Sequence, residues 1–116
     1  MNVAESNVRA TLLCGLSDLI EGGGVAALIG NEQVALFYLP DPPAPSIFAL
    51  GNFDPIGQAN VLARGIVGDV DGEPVVASPL YKQHFSLKTG ACLEEPGVSV
   101  PTYRVLVADG HVFLIG

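Results

Sequence analysis

The stretch Val75–Gly90, VVASPLYKQHFSLKTG, decides the fold because it joins two short apolar runs through two turns. The first apolar run ends at Ser78-Pro79, a polar tip follows, and a Phe-x-Leu run then leads to Thr89-Gly90. Short apolar runs separated by proline, glycine and polar residues are typical of strands joined by turns. The stretch therefore predicts a strand, a turn with a polar tip and a second strand.

The same pattern extends along the chain of 116 residues, in which 14 glycines and 9 prolines separate short apolar runs. No long window shows a helical period. Asp71-Gly72 and Asp109-Gly110 are typical of tight turns, and the second closes a predicted hairpin, YRVLVADGHVFL, at residues 103–114. The predicted strands are Val8–Cys14, Val25–Ile29, Gln33–Leu39, Ser46–Leu50, Gly65–Val70, Pro74–Ala77, Phe85–Leu87, Tyr103–Val107 and Val112–Ile115.

Three segments between these strands are predicted as irregular structure. Ser17 is a candidate N-cap for a single helical turn. The segment PDPPAP at Pro40–Pro45 is predicted as an exposed loop, since proline lacks the N–H that a sheet ladder needs. The segment GNFDPIGQAN at residues 51–60 is predicted as a long loop. Short strands without a long helix predict one all-β domain over residues 1–116, a sandwich or a barrel.

The charge of the chain excludes several classes of partner. Its net charge is −7, from five Lys and Arg against twelve Asp and Glu, so it offers no basic stripe for nucleic acid. The same sign disfavours anionic membrane surfaces. No apolar stretch is long enough to span a bilayer, and the first residues lack a secretory signal. We therefore expect a cytoplasmic protein in which Cys14 and Cys92 are reduced packing residues.

Two loops stand out because each follows a predicted strand and centres on a proline: NFDPIG at residues 52–57 and SPLYKQHF at residues 78–85. Around them the sequence, over about Val34 to Ile115, resembles the Rieske ferredoxin family. In that family the loops carry C-P-H and C-P-x-H and hold a 2Fe–2S cluster at the tip of a small subdomain. The resemblance implies a Rieske-like (ISP-type) β-sandwich or barrel of short antiparallel strands, with tip loops at about 52–60 and 78–85.

The resemblance also aligns four positions with the cluster ligands. The two cysteine positions hold Asp54 and Ser78, and the two histidine positions hold Ile56 and Tyr81. Such a cluster needs two thiolates on one iron and two imidazoles on the other. Asp and Ser offer hard oxygen donors, and Ile offers no donor at all. The sequence therefore predicts no cluster, no metal site and no catalytic residue in this chain.

Three longer strings narrow the resemblance: RGIVGD at 64–69, SPLYKQHFSL at 78–87 and CLEEPGVSVPTY at 92–103. They resemble the small subunit of bacterial cytoplasmic NAD(P)H-dependent nitrite reductase, an oxidoreductase of nitrate assimilation. Many such subunits keep the Rieske-like frame without its cluster. The resemblance implies a large-subunit partner that carries FAD, an iron–sulfur cluster and sirohaem and reduces nitrite to ammonium. The small subunit would support the assembly or activity of that partner without being catalytic itself.

The polar tip, Tyr81, Lys82, Gln83 and His84, is the candidate surface for docking the large subunit, because aromatic side chains flanked by lysine suit interface anchoring. The alternative is a solvated turn in which Tyr81 packs locally against Phe85. Two wider alternatives stay open. The chain could be a Rieske-type electron carrier, or a free-standing binding or regulatory module that shares only the fold.

Three further predictions concern polar residues in loops. Asp54 is expected to cap its own loop by accepting backbone N–H groups, as Asp side chains often do in turns, and Ser78 is interpreted in the same way. The segment Glu94-Glu95-Pro96 is predicted to be a solvated loop.

Overall fold

The computed structural model of the protein describes residues 10–40 and 46–115. These residues form strands, turns and two 3-10 helices, Leu16–Asp18 and Leu62–Arg64, and the fold is all-β as predicted. No helix among them is long and apolar enough to cross a membrane. The strands are β1 Ala10–Gly15, β2 Gly24–Ile29, β3 Glu32–Leu39, β4 Ser46–Gly51, β5 Phe53–Asp54, β6 Ala59–Asn60, β7 Ile66–Val70, β8 Glu73–Ala77, β9 His84–Ser86, β10 Thr102–Ala108 and β11 His111–Ile115.

Six strands form one antiparallel sheet in the order β1-β11-β10-β4-β3-β2. Its strands β2, β3 and β4 follow one another in the chain, and Leu36 at their centre lies opposite Val25 on one side and Ala49 on the other. Strand β3 is buried from Val34 to Phe37, so both of its faces contact apolar side chains. The predicted strands Val25–Ile29 and Gln33–Leu39 are confirmed, and they pair as an antiparallel hairpin.

The closing hairpin β10–β11 is also confirmed, with Ala108 paired to His111 across the turn. Asp109 and Gly110 both have positive φ, which a two-residue type I′ turn requires. Strand β10 joins the rest of the sheet through Thr102 and Tyr103, which pair with the end of β4. On the other side of the hairpin, β11 pairs with β1.

A three-stranded sheet, β7-β8-β9, carries the second tip loop. Strands β7 and β8 are joined at Asp71-Gly72, where both φ angles are positive, as the sequence predicts. The tip loop leaves β8 after Ala77 and enters β9 at His84. Strand β9 therefore begins one residue earlier than predicted and ends at Ser86.

The first tip loop is more regular than the sequence suggests. Within the predicted loop 51–60, β5 and β6 pair, with Phe53 opposite Asn60 and Asp54 opposite Ala59. This small ribbon brings both ends of the loop together. It stands beside the three-stranded sheet, so the two tip loops are neighbours.

The main core lies between the six-stranded and three-stranded sheets. Phe37 and Leu50 from the large sheet pack in one cluster with Val76 and Phe85 from the small one. Cys92 belongs to this cluster, Cys14 packs against the second cluster, and both thiols are free. Both cysteines therefore serve in packing, as expected.

The prediction that Ser17 is an N-cap is wrong, because Ser17 lies inside the first 3-10 helix. The N-cap is Gly15, whose N–H donates to the Asp18 carboxylate at 2.9 Å. Asp18 can do this because a 3-10 turn brings the third residue back over the start of the helix. The first two residues of the predicted strand Val8–Cys14, and residues 41–45 of the predicted proline loop, lie outside the described residues.

Candidate functional site

Asp54 organises the first tip loop from a fully buried position, with 0% of its surface exposed. Its Oδ1 accepts the backbone N–H of Ile56 at 2.8 Å and that of Gly57 at 3.0 Å. Its backbone carbonyl accepts the N–H of Gln58 at 2.7 Å. The predicted capping role of Asp54 is confirmed.

Asp54 also joins the two tip loops, which the sequence did not predict. The Ser78 hydroxyl donates to Asp54 Oδ2 at 2.5 Å, and Ser78 is likewise 0% exposed. The same hydroxyl oxygen receives the N–H of Leu80 at 3.3 Å. The two positions that the family resemblance aligns with cysteine ligands are thus hydrogen-bonded to each other in the interior of the tip.

An apolar contact runs beside this hydrogen bond. A Cβ placed on Gly57 would lie 2.4 Å from Leu80 Cδ1, so the leucine packs directly on the glycine backbone. Ile56 packs against the main core cluster. The two histidine positions of the resemblance therefore differ in environment, because Ile56 faces the core whereas Tyr81 is 63% exposed.

The polar tip itself is a tight turn. The Ser78 N–H donates to the Gln83 carbonyl and the Lys82 N–H donates to the Ser78 carbonyl, at 2.9 and 3.0 Å. Lys82 takes a left-handed conformation with φ of 69°. Tyr81 and Lys82 are exposed, but Gln83 is half-buried and its Oε1 is buried without a hydrogen-bond partner. The structure therefore leaves Tyr81 and Lys82 as the projecting members of the predicted surface.

The base of the second tip loop is held by Glu94. One carboxylate oxygen accepts the His84 backbone N–H at 2.8 Å, and the other lies 2.6 Å from His84 Nδ1. The His84 carbonyl in turn accepts the Leu93 N–H at 2.8 Å. Residues 94–96 form an exposed loop, as predicted, and the Glu94 side chain also ties this loop to β9.

The Glu94 carboxyl makes the stability of the fold depend on pH. The backbone hydrogen bond from His84 lowers the pKa of Glu94 below its ordinary value of 4.5. A carboxyl group whose pKa is lower in the folded than in the unfolded state stabilises the fold at pH values above its unfolded-state pKa. This stabilisation is lost as the pH falls through the folded-state pKa.

We expect Glu94→Gln to lower the free energy of unfolding at neutral pH by up to about 1 kcal/mol, since the pair is exposed. The difference from wild type should disappear below the folded-state pKa, where Glu94 is itself protonated. Urea unfolding across this pH range measures it. Glu95→Gln is the matched control, and an equal loss in both variants would contradict the assignment.

Asn52 connects the first tip loop to its surroundings and was not singled out from the sequence. This buried side chain accepts the N–H of Ala63 at 2.7 Å and donates to Gln33 Oε1 at 2.9 Å. The backbone carbonyl of Asn52 accepts the N–H groups of Val61 and Leu62. Asn52 therefore fixes the first tip loop to β3 and to the second 3-10 helix.

The hydrogen bonds at the tip hold the two loops in place and occupy the side chains that covalent chemistry would need. The buried Ser78 hydroxyl is engaged by Asp54, and the His84 ring is engaged by Glu94. Within the described part of the chain, no group of three or more His, Cys, Asp and Glu side chains could hold a metal ion.

The fold and its two-loop tip define a class of domain. A family model described as a Rieske-like [2Fe-2S] domain matches residues 10–115, and the chain belongs to this family. It is 45% identical over 106 residues to the nitrite reductase (NADH) small subunit of Salmonella typhimurium, covering 90% of this chain and 94% of that protein. Within the Rieske-like class, the chain is therefore a member of the nitrite reductase small-subunit family.

Two further relatives extend this result. The NMR structure of the E. coli protein NirD superposes with a TM-score of 0.80 at 39% identity, covering 94% of this chain and 97% of that one. A nitrite reductase [NAD(P)H] large subunit of Klebsiella oxytoca is 38% identical over 102 residues. That match covers 88% of this chain but 10% of the Klebsiella protein, so a similar domain exists there within a much longer chain.

Proposed function

We propose that this chain is the small subunit of an NAD(P)H-dependent nitrite reductase and that it binds the large subunit as a single Rieske-like domain. The observation that carries the proposal is the 45% identity to a nitrite reductase (NADH) small subunit over 94% of that protein's length. The Klebsiella large subunit supports it, because two proteins that associate in one organism can be joined in one chain in another.

The proposal extends to the reaction. The large subunit would carry FAD, an iron–sulfur cluster and sirohaem and would reduce nitrite to ammonium in cytoplasmic nitrate assimilation. The small subunit would support assembly or activity by holding a defined surface against its partner. The interlocked tip supports this role, since Asp54, Ser78 and Asn52 fix both loops from the interior.

We further propose that the chain holds no cluster of its own. A Rieske centre needs two thiolates and two imidazoles. The side-chain oxygens of Asp54 and Ser78 are hydrogen-bonded to each other. Ile56 packs against the core, and its side chain has no atom that could bind iron. Tyr81 offers an exposed phenol in place of an imidazole. The residues present do not fit the cluster, and no redox step is assigned to them.

Co-purification and activity test the proposal. The tagged chain should retain the large subunit of the same organism, and deletion of the chain should abolish or strongly reduce NADH- or NADPH-linked nitrite reduction. Supplying the wild-type chain should restore the reaction. Full activity of the large subunit alone, with no complex formed, would overturn the proposal.

Electron transfer by the chain itself is the second candidate, because its family is described as a Rieske-like [2Fe-2S] domain. We expect protein produced anaerobically under cluster-loading conditions to contain no stoichiometric iron and to show no visible absorption band. A Rieske-type ferredoxin loaded in parallel is the positive control. Two irons per chain in our protein would establish the carrier function instead.

We propose that Tyr81, Lys82, Gln83 and His84 anchor the large subunit, with Tyr81 as the main contact. Tyr81→Ala should weaken the complex about tenfold or more, as expected for an exposed aromatic anchor. His84→Ala should weaken it less, because the Nδ1 atom of His84 is already engaged by Glu94 within the chain. Leu106→Ala, an exposed position on β10, is the control. Unchanged binding of both tip variants would show that the tip is not the anchor.

A further inference from the structure

A groove of about 450 Å³ runs along the first tip loop and lies outside the predicted docking tip. Its lining comes from three segments: the start of β3 with the preceding turn, the first tip loop, and the segment that leads into β10. The lining includes Glu32, Asn52, Phe53, Pro55, Pro101 and Tyr103.

The floor of the groove is held by internal contacts. The Gly51 N–H donates to the Pro101 carbonyl at 2.8 Å, and the Asn52 N–H donates to the Gln33 carbonyl at 3.0 Å. A Cβ on Gly51 would lie 2.9 Å from Pro101 Cγ, so the two segments are in close contact. With the Asn52 side-chain hydrogen bonds, these contacts form the groove before any partner arrives.

The walls combine aromatic rings with a single acidic group. Phe53 is 47% exposed, and the Tyr103 hydroxyl donates to Glu32 Oε2 at 3.2 Å. Burial, and then the charge of Glu32, raise the pKa of Tyr103, so its phenol stays neutral. Among the described residues, none of those that line the groove is Lys or Arg, and Glu32 is the one charged member of the lining. The whole chain carries a net charge of −7.

This chemistry favours a cation. A Lys or Arg side chain can lie against the faces of aromatic rings while its charge meets a carboxylate, so both kinds of contact select a cation. The groove also adjoins the second tip loop, because Phe53 and Pro55 belong to the first tip loop, which contacts the second through Asp54–Ser78 and Gly57–Leu80. A stable protein interface covers about 20–30 residues on each side. The four tip residues are too few, and the groove supplies adjoining surface.

We propose that this groove binds an extended segment of the large subunit that places a Lys or Arg side chain between Phe53 and Tyr103, with its cation on Glu32. The inference rests on the proposed function, since it names where and how the large subunit is recognised. It predicts that binding has an electrostatic component that depends on the Glu32 carboxylate.

The test titrates the purified large subunit against variants of the full chain. Glu32→Gln should weaken the complex about tenfold and Glu32→Lys more strongly, because a repulsive charge replaces an attractive one. Phe53→Ala should weaken it to a similar degree as Glu32→Gln. Added salt should weaken the wild-type complex more than the Glu32→Gln complex. Asp109→Asn and Leu106→Ala, both exposed and outside the groove lining and the tip loops, are the controls. Thermal unfolding verifies that every variant is folded.

The outcomes separate the inference from the proposed function. If the wild-type chain fails to bind, the proposed function fails and the groove assignment with it. If the wild type binds and the Glu32 and Phe53 variants bind equally well, only the groove assignment is overturned. Self-association of the isolated chain that Glu32→Gln abolishes would assign the groove to a second copy, and would also overturn it.

Discussion

Asp54→Ala is expected to lower the free energy of unfolding by about 3–5 kcal/mol, a large part of the total stability of a small domain. The substitution removes the acceptor for the Ile56 and Gly57 N–H groups and for the Ser78 hydroxyl. These donors are inside the tip, where unmade hydrogen bonds are costly. Chemical denaturation measures the loss.

Matched variants separate the cap from the link between the loops. Asp54→Asn keeps one oxygen for the two N–H groups and offers an amide to Ser78, so it should cost only about 1–2 kcal/mol. Ser78→Ala removes the link and leaves the cap. In a double-mutant cycle, Asp54→Ala and Ser78→Ala should be coupled by about 1 kcal/mol or more. Strict additivity would show that the two loops are not joined through this bond.

Gly90→Ala is expected to destabilise the fold by about 3–5 kcal/mol or to prevent folding. Gly90 has φ of +78°, and a Cβ there would lie 2.1 Å from the Val100 carbonyl oxygen. To relieve this steric clash, the chain would have to break the hydrogen bond from the Val100 N–H to the Gly90 carbonyl, which is 2.9 Å long. That bond brings the chain from β9 back toward β10. The yield of folded protein and its thermal unfolding are the measurements.

Gly97→Ala is the matched control for Gly90→Ala. Its φ is +90°, but nothing lies within 4 Å of the added Cβ. It should therefore show only the cost of a left-handed conformation, about 1–2 kcal/mol. Similar losses in both variants would mean that the backbone conformation, rather than the contact with Val100, determines the effect.

The parts of the fold that sequence predicts well are those specified by neighbouring residues. Asp71-Gly72 and Asp109-Gly110 are turns because aspartate and glycine tolerate the positive φ angles that a tight hairpin needs. Asp54 caps its own loop for the same local reason, since its partners Ile56 and Gly57 are two and three residues away. The burial of four consecutive residues in β3, Val34–Phe37, is not such a local property, because it results from packing on both faces of the strand.

The parts that the sequence left undetermined depend on residues brought together from distant positions. The bond from Ser78 to Asp54 joins residues 24 apart, and the Tyr103 contact with Glu32 joins residues 71 apart. Glu94 resembled any other exposed acid until the fold placed it beside His84. The groove is likewise invisible in the sequence, since its walls come from three separate segments. Such pairings follow from topology and not from propensity.

The pairing of β1 with β11 has a consequence for how the chain is made. Ala10 lies opposite Ile115, so the first described strand pairs with the last. During synthesis β1 has no partner in the sheet until β11 has left the ribosome, whereas β2, β3 and β4 can pair as soon as they emerge. Contacts between distant residues slow folding. Strands β2, β3 and β4 can therefore act as a template, and β1 completes the sheet only after β11 has emerged.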